Sequence, residues 1–186
     1  MGRVSFKPGN MLYPLPVVLI SSADKAGNKN LFTVAWAGTV CSDPPMVSIS
    51  VRKERHSYNM IKETGEFVIN LTNRDMTFAT DYCGVKSGRD TDKWADTGLH
   101  AVDSLNVSAP SVAESPVCIE CKVEEIKELG SHDMFIATVV GVTVDDKYMD
   151  ETGKFHFEAS DPLAYSHGEY YTLGDLLGKF GYSVKK

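Results

Sequence analysis

Residues 50–57 contain the densest group of side chains that could bind an anion: three basic residues, a histidine and the hydroxyl of Ser57. The sequence pattern ends a strand near Arg52 and begins a helix at Ser57, which we expect to cap that helix. A helix N-terminus offers unpaired N–H groups and a partial positive charge. Arg52 or Arg55 could add a forked pair to phosphate oxygens. The segment therefore predicts a phosphate site, although a solvent-exposed charged turn would have the same composition.

Residues 28–38 form a second candidate segment, which opens with a turn and continues as a strand of small and aromatic residues. A flat heteroaromatic ring could lie along such a strand, with backbone N–H and C=O groups binding its polar edge. Ala35 and Gly38 would let that ring approach the backbone closely. Taken alone, the pattern favours a core strand with Trp36 packed inside.

Residues 81–94 form a third candidate segment, a loop with two glycines, a hydroxyl and basic side chains. Binding residues are often carried on loops of this kind. Lys93 could reach a phosphate as a flexible point charge. An exposed polar loop without a ligand is the alternative.

Other motifs argue against several kinds of site. No Gly-x-Gly-x-x-Gly occurs, and the segment from Gly174 to Phe180 is too short for a phosphate loop; we expect a helix or turn there. Cys118 and Cys121 match C-x-x-C, but residues three apart on a strand point to opposite faces. We therefore expect Cys121 in the core, Cys118 on the other side, and neither a redox pair nor a zinc site.

The elements that would position these segments are mostly strands. Clusters of β-branched residues between turn signals predict strands over Leu15–Ser22, Phe32–Cys41, Met46–Arg52, Phe67–Leu71, Val117–Ile126 and Met134–Val144, with a short further strand over Lys154–Glu158. In the third strand, Val47, Ile49 and Val51 share one face. Helices are predicted over Ser57–Thr64 and Met76–Tyr82, and residues 92–110 are expected to be irregular with one helical turn. This order indicates an antiparallel barrel and not a Rossmann-type sheet.

Length and composition suit one globular domain, which we expect to span residues 1–186. The formal net charge of −6 argues against a broad nucleic-acid-binding surface. No apolar run approaches the length of a membrane span, about 20 residues, and no clear secretory signal is present. We therefore expect a cytoplasmic protein with reduced thiols and no membrane association.

Further short motifs accompany the three candidate segments in a fixed order. They are Pro16–Ser21, Asp24, Gly27-Asn28, Pro44-Pro45, Met46–Ser50, Arg55–Tyr58, Ile61, Thr64–Asn70, Asp81–Gly84, Ser87-Gly88, Asp92-Lys93, Glu114–Pro116, Glu120-Cys121, Gly130 and His132–Ile136. On these motifs, which cover roughly residues 6–175, the chain resembles the flavin reductase-like, FMN-binding split-barrel proteins. It is most similar to their flavoredoxin branch.

The resemblance implies a mainly β fold with a few short helices: a six-stranded antiparallel Greek-key split β-barrel that forms a homodimer and binds FMN. It assigns a ring-binding stretch of Asn30, Leu31, Phe32, Thr33, Val34, Ala35 and Trp36. It assigns the ribityl phosphate to Ser50, Val51, Arg52, Arg55, His56 and Ser57. Cys83, Gly84, Ser87, Gly88 and Lys93 would complete the pocket, and His132 would approach the ring.

Three modes of action fit this resemblance. An NAD(P)H-dependent flavin reductase would take electrons or hydride from NAD(P)H through FMN. A non-enzymatic carrier would hold FMN tightly and receive electrons from a redox protein. A binding module would store flavin or another planar ligand without turnover. Hydride transfer needs no acid–base pair, so no catalytic residue is assigned, and the first two modes are favoured over the third.

Overall fold

The computed structural model describes residues 2–184, which form a mainly β fold with few helices. The strands are β1 (Leu15–Pro16), β2 (Val18–Ala23), β3 (Lys29–Val34), β4 (Ala37–Ser42), β5 (Pro45–Val51), β6 (Glu66–Leu71), β7 (Ala101–Val102), β8 (Ser111–Val112), β9 (Val117–Leu129), β10 (His132–Val144), β11 (Leu163–Ser166) and β12 (Glu169–Thr172). The α-helices are α1 (His56–Thr64), α2 (Thr77–Val85) and α3 (Lys93–Thr97). Within the described residues, no helix has both the length and the apolar content that a membrane span requires.

The main sheet has seven antiparallel strands in the order β3-β2-β6-β9-β10-β5-β4. Its two edge strands, β3 and β4, are separated in sequence by only Ala35 and Trp36. Two residues can connect opposite edges only if the sheet curls until those edges meet. The closure brings β3 into contact with β5, and the backbone N–H of Ser50 donates to the carbonyl of Trp36 at 2.9 Å, which extends the β4–β5 ladder up to the connection. The sheet is therefore a split barrel.

The barrel interior forms the main core. Phe67, Phe135 and Ile61 are fully buried there, together with the inward residues of β5. The predicted alternation is confirmed, because Val47, Ile49 and Val51 are all buried in this core. A second apolar cluster lies outside the barrel, where α2 and α3 cover β2 and β3.

The prediction of one continuous strand over Phe32–Cys41 was wrong. The chain leaves the sheet at Ala35 and re-enters it at the opposite edge as β4, which pairs with β5. Period-two patterning records which face a residue occupies but carries no information about which edge a strand joins. This break explains why the main sheet has seven strands where six were expected.

The C-terminal region also differs from the prediction. Lys154–Glu158 is not a strand: Phe155 makes a single bridge to Met149, and a 3₁₀ turn runs over Phe157–Ser160. The hairpin of β11 and β12 was not predicted, and β11 also pairs with β1. Its turn contains His167 and Gly168 at φ 50° and 86°, a geometry that glycine permits without strain. A helix or a turn was predicted from Gly174 to Phe180; no regular helix forms there, and a turn begins at Phe180.

The helices begin close to their predicted positions, but the predicted cap of α1 was wrong. Arg55 occupies the cap position without a side-chain cap hydrogen bond, and Ser57 lies inside the helix with its side chain fully buried. Helix α2 extends to Val85, and α3 is the single helical turn expected within residues 92–110.

The four cysteines are free. Cys121 lies in the barrel core, and Cys118 packs on the other face with Val68 and Ala109, as predicted from their spacing. Burial raises the pKa of the Cys121 thiol to about 12 and that of Cys83 to about 11, and it also raises the pKa of Cys118. Since the thiolate is the reactive form, all three thiols are protected.

We expect Ellman's reagent to titrate one thiol quickly in the native protein, that of the half-buried Cys41. The remaining thiols should react only after denaturation, because they are buried and protonated. Replacing Cys41 by Ser should abolish the fast phase and leave the slow phases unchanged. Fast modification of two thiols in that variant would show that the C-x-x-C segment is accessible.

Candidate functional site

Two adjoining cavities lie beside the barrel seam. The aromatic cavity has a volume of about 280 Å³, and the cationic cavity has a volume of about 380 Å³. Phe32, Arg52 and Arg55 line both, so the two spaces meet at these side chains. A single elongated ligand could therefore occupy both.

The aromatic cavity is formed where several parts of the chain converge. Its walls include β3 and the β3–β4 connection, the end of β5, the C-terminal part of α2, the start of β10 and the β11–β12 hairpin. The rings of Trp36 and His132 are parallel within 1°, with centroids 6.4 Å apart. Tyr165 and Tyr170 provide further aromatic surface. These groups favour a flat, apolar ligand, because parallel aromatic faces bind planar rings.

The cationic cavity concentrates positive charge in an otherwise acidic chain. Its lining includes five basic side chains and one carboxylate, which are Arg52, Arg55, Lys86, Arg89, Lys93 and Glu54. Two of the arginines are oriented by carbonyl groups: Arg55 Nη1 donates to the Gly84 carbonyl at 2.9 Å, and Arg89 Nη1 donates to the Glu54 carbonyl at 3.0 Å. The guanidinium groups are thereby held at the wall, which suits recognition of an anion such as phosphate.

Lys93 has the most unusual environment in the site. Lys93 is only 3% exposed, and its Nζ donates to the carbonyls of Leu31 at 2.8 Å and Cys83 at 2.9 Å. Burial, reinforced by the charge of Arg55, lowers the pKa of Lys93 to about 8. An ammonium has three N–H donors, and no described carboxylate forms an ion pair with this one. An anionic ligand in the cationic cavity would therefore stabilise its charged form.

A buried polar network fixes the floor between the two cavities. Asn30 Nδ2 and Ser22 Oγ both donate to Ser57 Oγ at 2.8 Å. Gly88 presses against this network, since a Cβ at that position would lie 2.1 Å from Asn30 Oδ1. The loop after α2 can close over the cavity only because residue 88 has no side chain.

The third basic residue of the corner, Lys53, points away from both cavities. Its Nζ lies 3.5 Å from carboxylate oxygens of Asp133 and Glu128. Asp133 is fully buried and also accepts a hydrogen bond from the Tyr58 hydroxyl at 2.6 Å. This hydrogen bond, together with burial, raises the pKa of Tyr58 to about 12. Lys53 therefore ties the corner to β10 and leaves Arg52 and Arg55 to face the ligand space.

The two histidines of the site are neutral at neutral pH. Burial is the main cause that lowers the pKa of His132, and the positive charge of Arg52 adds to it. Burial also lowers the pKa of His56, with further lowering from Arg89 and Lys93. The positive charge of the site therefore comes from arginine and lysine.

Most of the predicted site residues meet at these cavities. Eleven line the aromatic cavity: Phe32, Thr33, Val34, Ala35, Trp36, Ser50, Val51, Arg52, Arg55, Gly84 and His132. Five more line only the cationic cavity: Asn30, His56, Ser87, Gly88 and Lys93. Leu31, Ser57 and Cys83 line neither, because their side chains are fully buried beneath the cavity walls.

Several lining residues were not anticipated from the sequence. In the aromatic cavity they are Asn10, Val17, Tyr165 and Tyr170, and in the cationic cavity they are Glu54, Lys86 and Arg89. The sequence does contain a signal for the two tyrosines. Apolar and polar residues alternate from Leu163 to Thr172 around a His-Gly turn, which is a pattern typical of a hairpin. Lys86 and Arg89 lie within the third candidate segment, where only Lys93 was singled out among the basic residues. Asn10 had no signal, because it precedes the first strand.

The combined site is suited to a ligand with two unlike ends. Parallel aromatic groups and apolar walls accept a planar ring, and five cations accept an anionic tail. The two ends are separated by Arg52 and Arg55, which can contact both. A flavin mononucleotide has this construction, with an isoalloxazine ring joined to a phosphate through a ribityl chain.

Comparisons with known proteins agree with this arrangement. The family model described as "Flavin reductase like domain" matches residues 10–174. The flavoredoxin of Desulfovibrio vulgaris (Miyazaki F) is 33% identical, with a TM-score of 0.91 over 99% of this chain and 100% of that one. Flavoredoxin from Methanosarcina acetivorans is 27% identical, with a TM-score of 0.90 over 98% and 97%. A "NADH:riboflavin 5'-phosphate oxidoreductase" of Streptomyces pristinaespiralis is 23% identical over 146 residues, covering 78% of this chain and 80% of its own.

The family match covers most of the chain. It agrees with the mainly β split barrel, which has the aromatic cavity and the cationic cavity beside its seam. On these grounds the chain belongs to the flavin reductase-like family.

Proposed function

We propose that this protein is an FMN-binding oxidoreductase that passes electrons or hydride from a reduced donor to an acceptor. The observation that carries the proposal is the junction of the aromatic and cationic cavities at Phe32, Arg52 and Arg55. A flavin without a phosphate would leave the cationic cavity unused. FMN satisfies both halves of the site.

When bound, FMN supplies the redox chemistry, and the protein contributes position and electrostatics. Arg55, Arg89 and Lys93 would hold the phosphate, and the Trp36 and His132 rings would flank the planar end. Arg52 lies between the two ends and would add positive charge near the ring. Positive charge there favours a reduced, anionic ligand over a neutral one. No side chain is assigned a proton-transfer role.

The donor defines two forms of this function. In the first, NAD(P)H reduces the bound flavin; the name of the Streptomyces relative gives NADH and riboflavin 5'-phosphate as the pair for that protein. In the second, the protein is an electron carrier that receives electrons from a redox protein, and the similarity to two flavoredoxins favours this form. Both require that FMN stay in the cavity during reduction.

Two further expectations stay predictions. A homodimer is supported by large apolar side chains exposed at both ends of the chain, such as Phe6 and Leu12 near the N-terminus and Leu177 and Phe180 near the C-terminus. Such side chains gain stability when a second copy covers them. The cytoplasmic location rests on the sequence argument alone.

Purified protein should be yellow or turn yellow with added FMN, with bound-flavin absorbance near 370 and 450 nm. Anaerobic addition of NADH or NADPH should bleach the 450 nm band if a nicotinamide is the donor. If the protein is a carrier, dithionite should bleach it while both nicotinamides act slowly. A colourless protein that fails to bind added FMN would contradict the proposal.

Replacing Arg55 by Ala should weaken FMN more than riboflavin, because only FMN carries the phosphate. A charge-assisted hydrogen bond to that group is worth about 1.5–3 kcal/mol. The dissociation constants of both ligands, measured by flavin fluorescence quenching, test the difference.

Lys62→Ala is the matched control for that experiment. It removes one positive charge from α1, the helix that begins directly after Arg55, at a position outside both cavities. It should leave both affinities unchanged. Equal weakening of FMN and riboflavin by Arg55→Ala would place the phosphate elsewhere.

FMN affinity should fall as pH rises above about 8, where Lys93 of the free protein loses its proton. The phosphate favours the charged ammonium, so binding above that pH must take up a proton. The dissociation constant should rise by less than about twofold between pH 7 and 8. It should then rise by up to about tenfold per pH unit, by linkage of a single proton.

Riboflavin provides the control for this pH dependence, because it lacks the phosphate. Its affinity should stay flat between pH 7 and 9. In Lys93→Met, the FMN profile should also become flat above pH 8. A wild-type FMN profile that stays flat would show that Lys93 does not sense the ligand.

A further inference from the structure

Helix α2 presents an apolar strip to solvent. Phe78, Tyr82 and Val85 follow the i, i+4, i+7 spacing that places side chains on one helix face. Phe78 is 67% exposed and Val85 is 73% exposed, and the rings of Phe78 and Tyr82 stack with centroids 5.8 Å apart. The opposite face of the helix is buried in the second apolar cluster. These three residues, called the α2 strip below, therefore do not serve the core.

Exposed carboxylates surround the α2 strip. Asp75, Asp81 and Asp96 are all exposed. Asp81 accepts a hydrogen bond from the Tyr170 hydroxyl at 3.0 Å, and Asp96 accepts one from the Tyr82 hydroxyl at 2.7 Å. A phenol donor leaves the carboxylate charge in place, so the rim of the strip is negative.

The basic residues that flank the helix do not cancel this charge. Arg74, just before α2, is paired with Asp161 at 2.9 Å. Lys86, just after α2, lines the cationic cavity and is also exposed at the C-terminal end of the strip. With three carboxylates and this one lysine, the rim of the apolar strip is net negative.

The inner side of the same helix is a wall of the aromatic cavity. Gly84 and Thr33 both line that cavity. The Thr33 hydroxyl donates a hydrogen bond to the Thr80 carbonyl of the helix. An α-helix with its side chains is about 10–12 Å across. A redox centre placed against the α2 strip would therefore lie about one helix diameter from the cavity.

We propose that the α2 strip is the docking surface for a basic redox protein that exchanges electrons with flavin in the aromatic cavity. This inference rests on the proposed function and names the class of partner. Charge complementarity selects the partner, because an acidic rim attracts a basic surface and accelerates the encounter. A small apolar centre suits the limited interfaces typical of weak electron-transfer complexes.

Mitochondrial cytochrome c, a small basic haem protein, serves as the probe. The holoprotein is reduced anaerobically with one equivalent of dithionite and mixed with ferric cytochrome c in a stopped-flow instrument. Two ferric haems each take up one electron, so that the two-electron-reduced flavin returns to its oxidised state and releases its protons to solvent. The second-order rate constant is measured at low and high ionic strength.

The Asp75→Asn, Asp96→Asn double variant should slow this reaction at least about fivefold at low salt, and the difference should vanish at high salt because charges are then screened. Phe78→Ser with Val85→Ser should slow it at both salt concentrations. The control, Asp146→Asn with Glu151→Gln, changes net charge equally in the loop after β10 and should keep the wild-type rate. Equal slowing by the control would overturn the proposal, since only net charge would then matter.

Binding separates this inference from the proposed function. Ferric cytochrome c titrated into the oxidised protein by calorimetry should show an affinity that both α2 double variants weaken, whether or not electrons flow. Ferricyanide, a small anion, should oxidise the reduced variants at least as fast as the wild type.

A protein that binds no flavin would contradict the proposed function, whereas normal flavin reduction with unchanged cytochrome c binding in the variants would contradict only the docking site. Dissociation of a dimer by Phe78→Ser, seen in sedimentation, would assign the strip to self-association instead.

Discussion

The fold and the site both depend on the two-residue connection between β3 and β4. Because Ala35 and Trp36 join strands at opposite edges of one sheet, the sheet has to close. Closure brings β3 beside β5, and the Trp36 carbonyl, which accepts from the Ser50 N–H, extends the β4–β5 pairing to the connection itself. The start of β10 and the strand-to-helix corner then lie beside the seam. A cleft with one aromatic and one cationic half follows from this closure.

The basic residues of the strand-to-helix corner have two different roles, and the site depends on this difference. Lys53 is drawn to the buried carboxylate of Asp133, while Arg52 and Arg55 remain at the cavity wall. The Tyr58 hydroxyl donates a hydrogen bond to one Asp133 oxygen. The corner is therefore held in place by buried groups on the side away from the cavities. Such an anchor limits the motion of the guanidinium groups, and preorganised donors bind an anion with a smaller entropic cost.

Much of the architecture could be predicted from local patterns, and the failures have a common physical cause. The inward face of Val47, Ile49 and Val51 and the opposite faces of Cys118 and Cys121 follow from strand periodicity, which is a local property. The break at Ala35, the burial of Ser57 and the presence of Tyr165 in the site depend on which distant segments meet. The family resemblance supplied most of the lining residues, whereas Asn10 and Tyr170 arrive through long-range packing that short motifs do not record.

The Lys93 ammonium is hydrogen-bonded only to backbone carbonyls, and this affects the stability of the whole fold. A buried ammonium without a carboxylate partner lowers the stability of the ligand-free fold, and an anion that completes its coordination restores that stability. The desolvation cost of the Lys93 ammonium would therefore be offset when an anion binds beside it. The same arrangement would let inorganic phosphate or sulfate at sufficient concentration compete with a phosphate-bearing ligand.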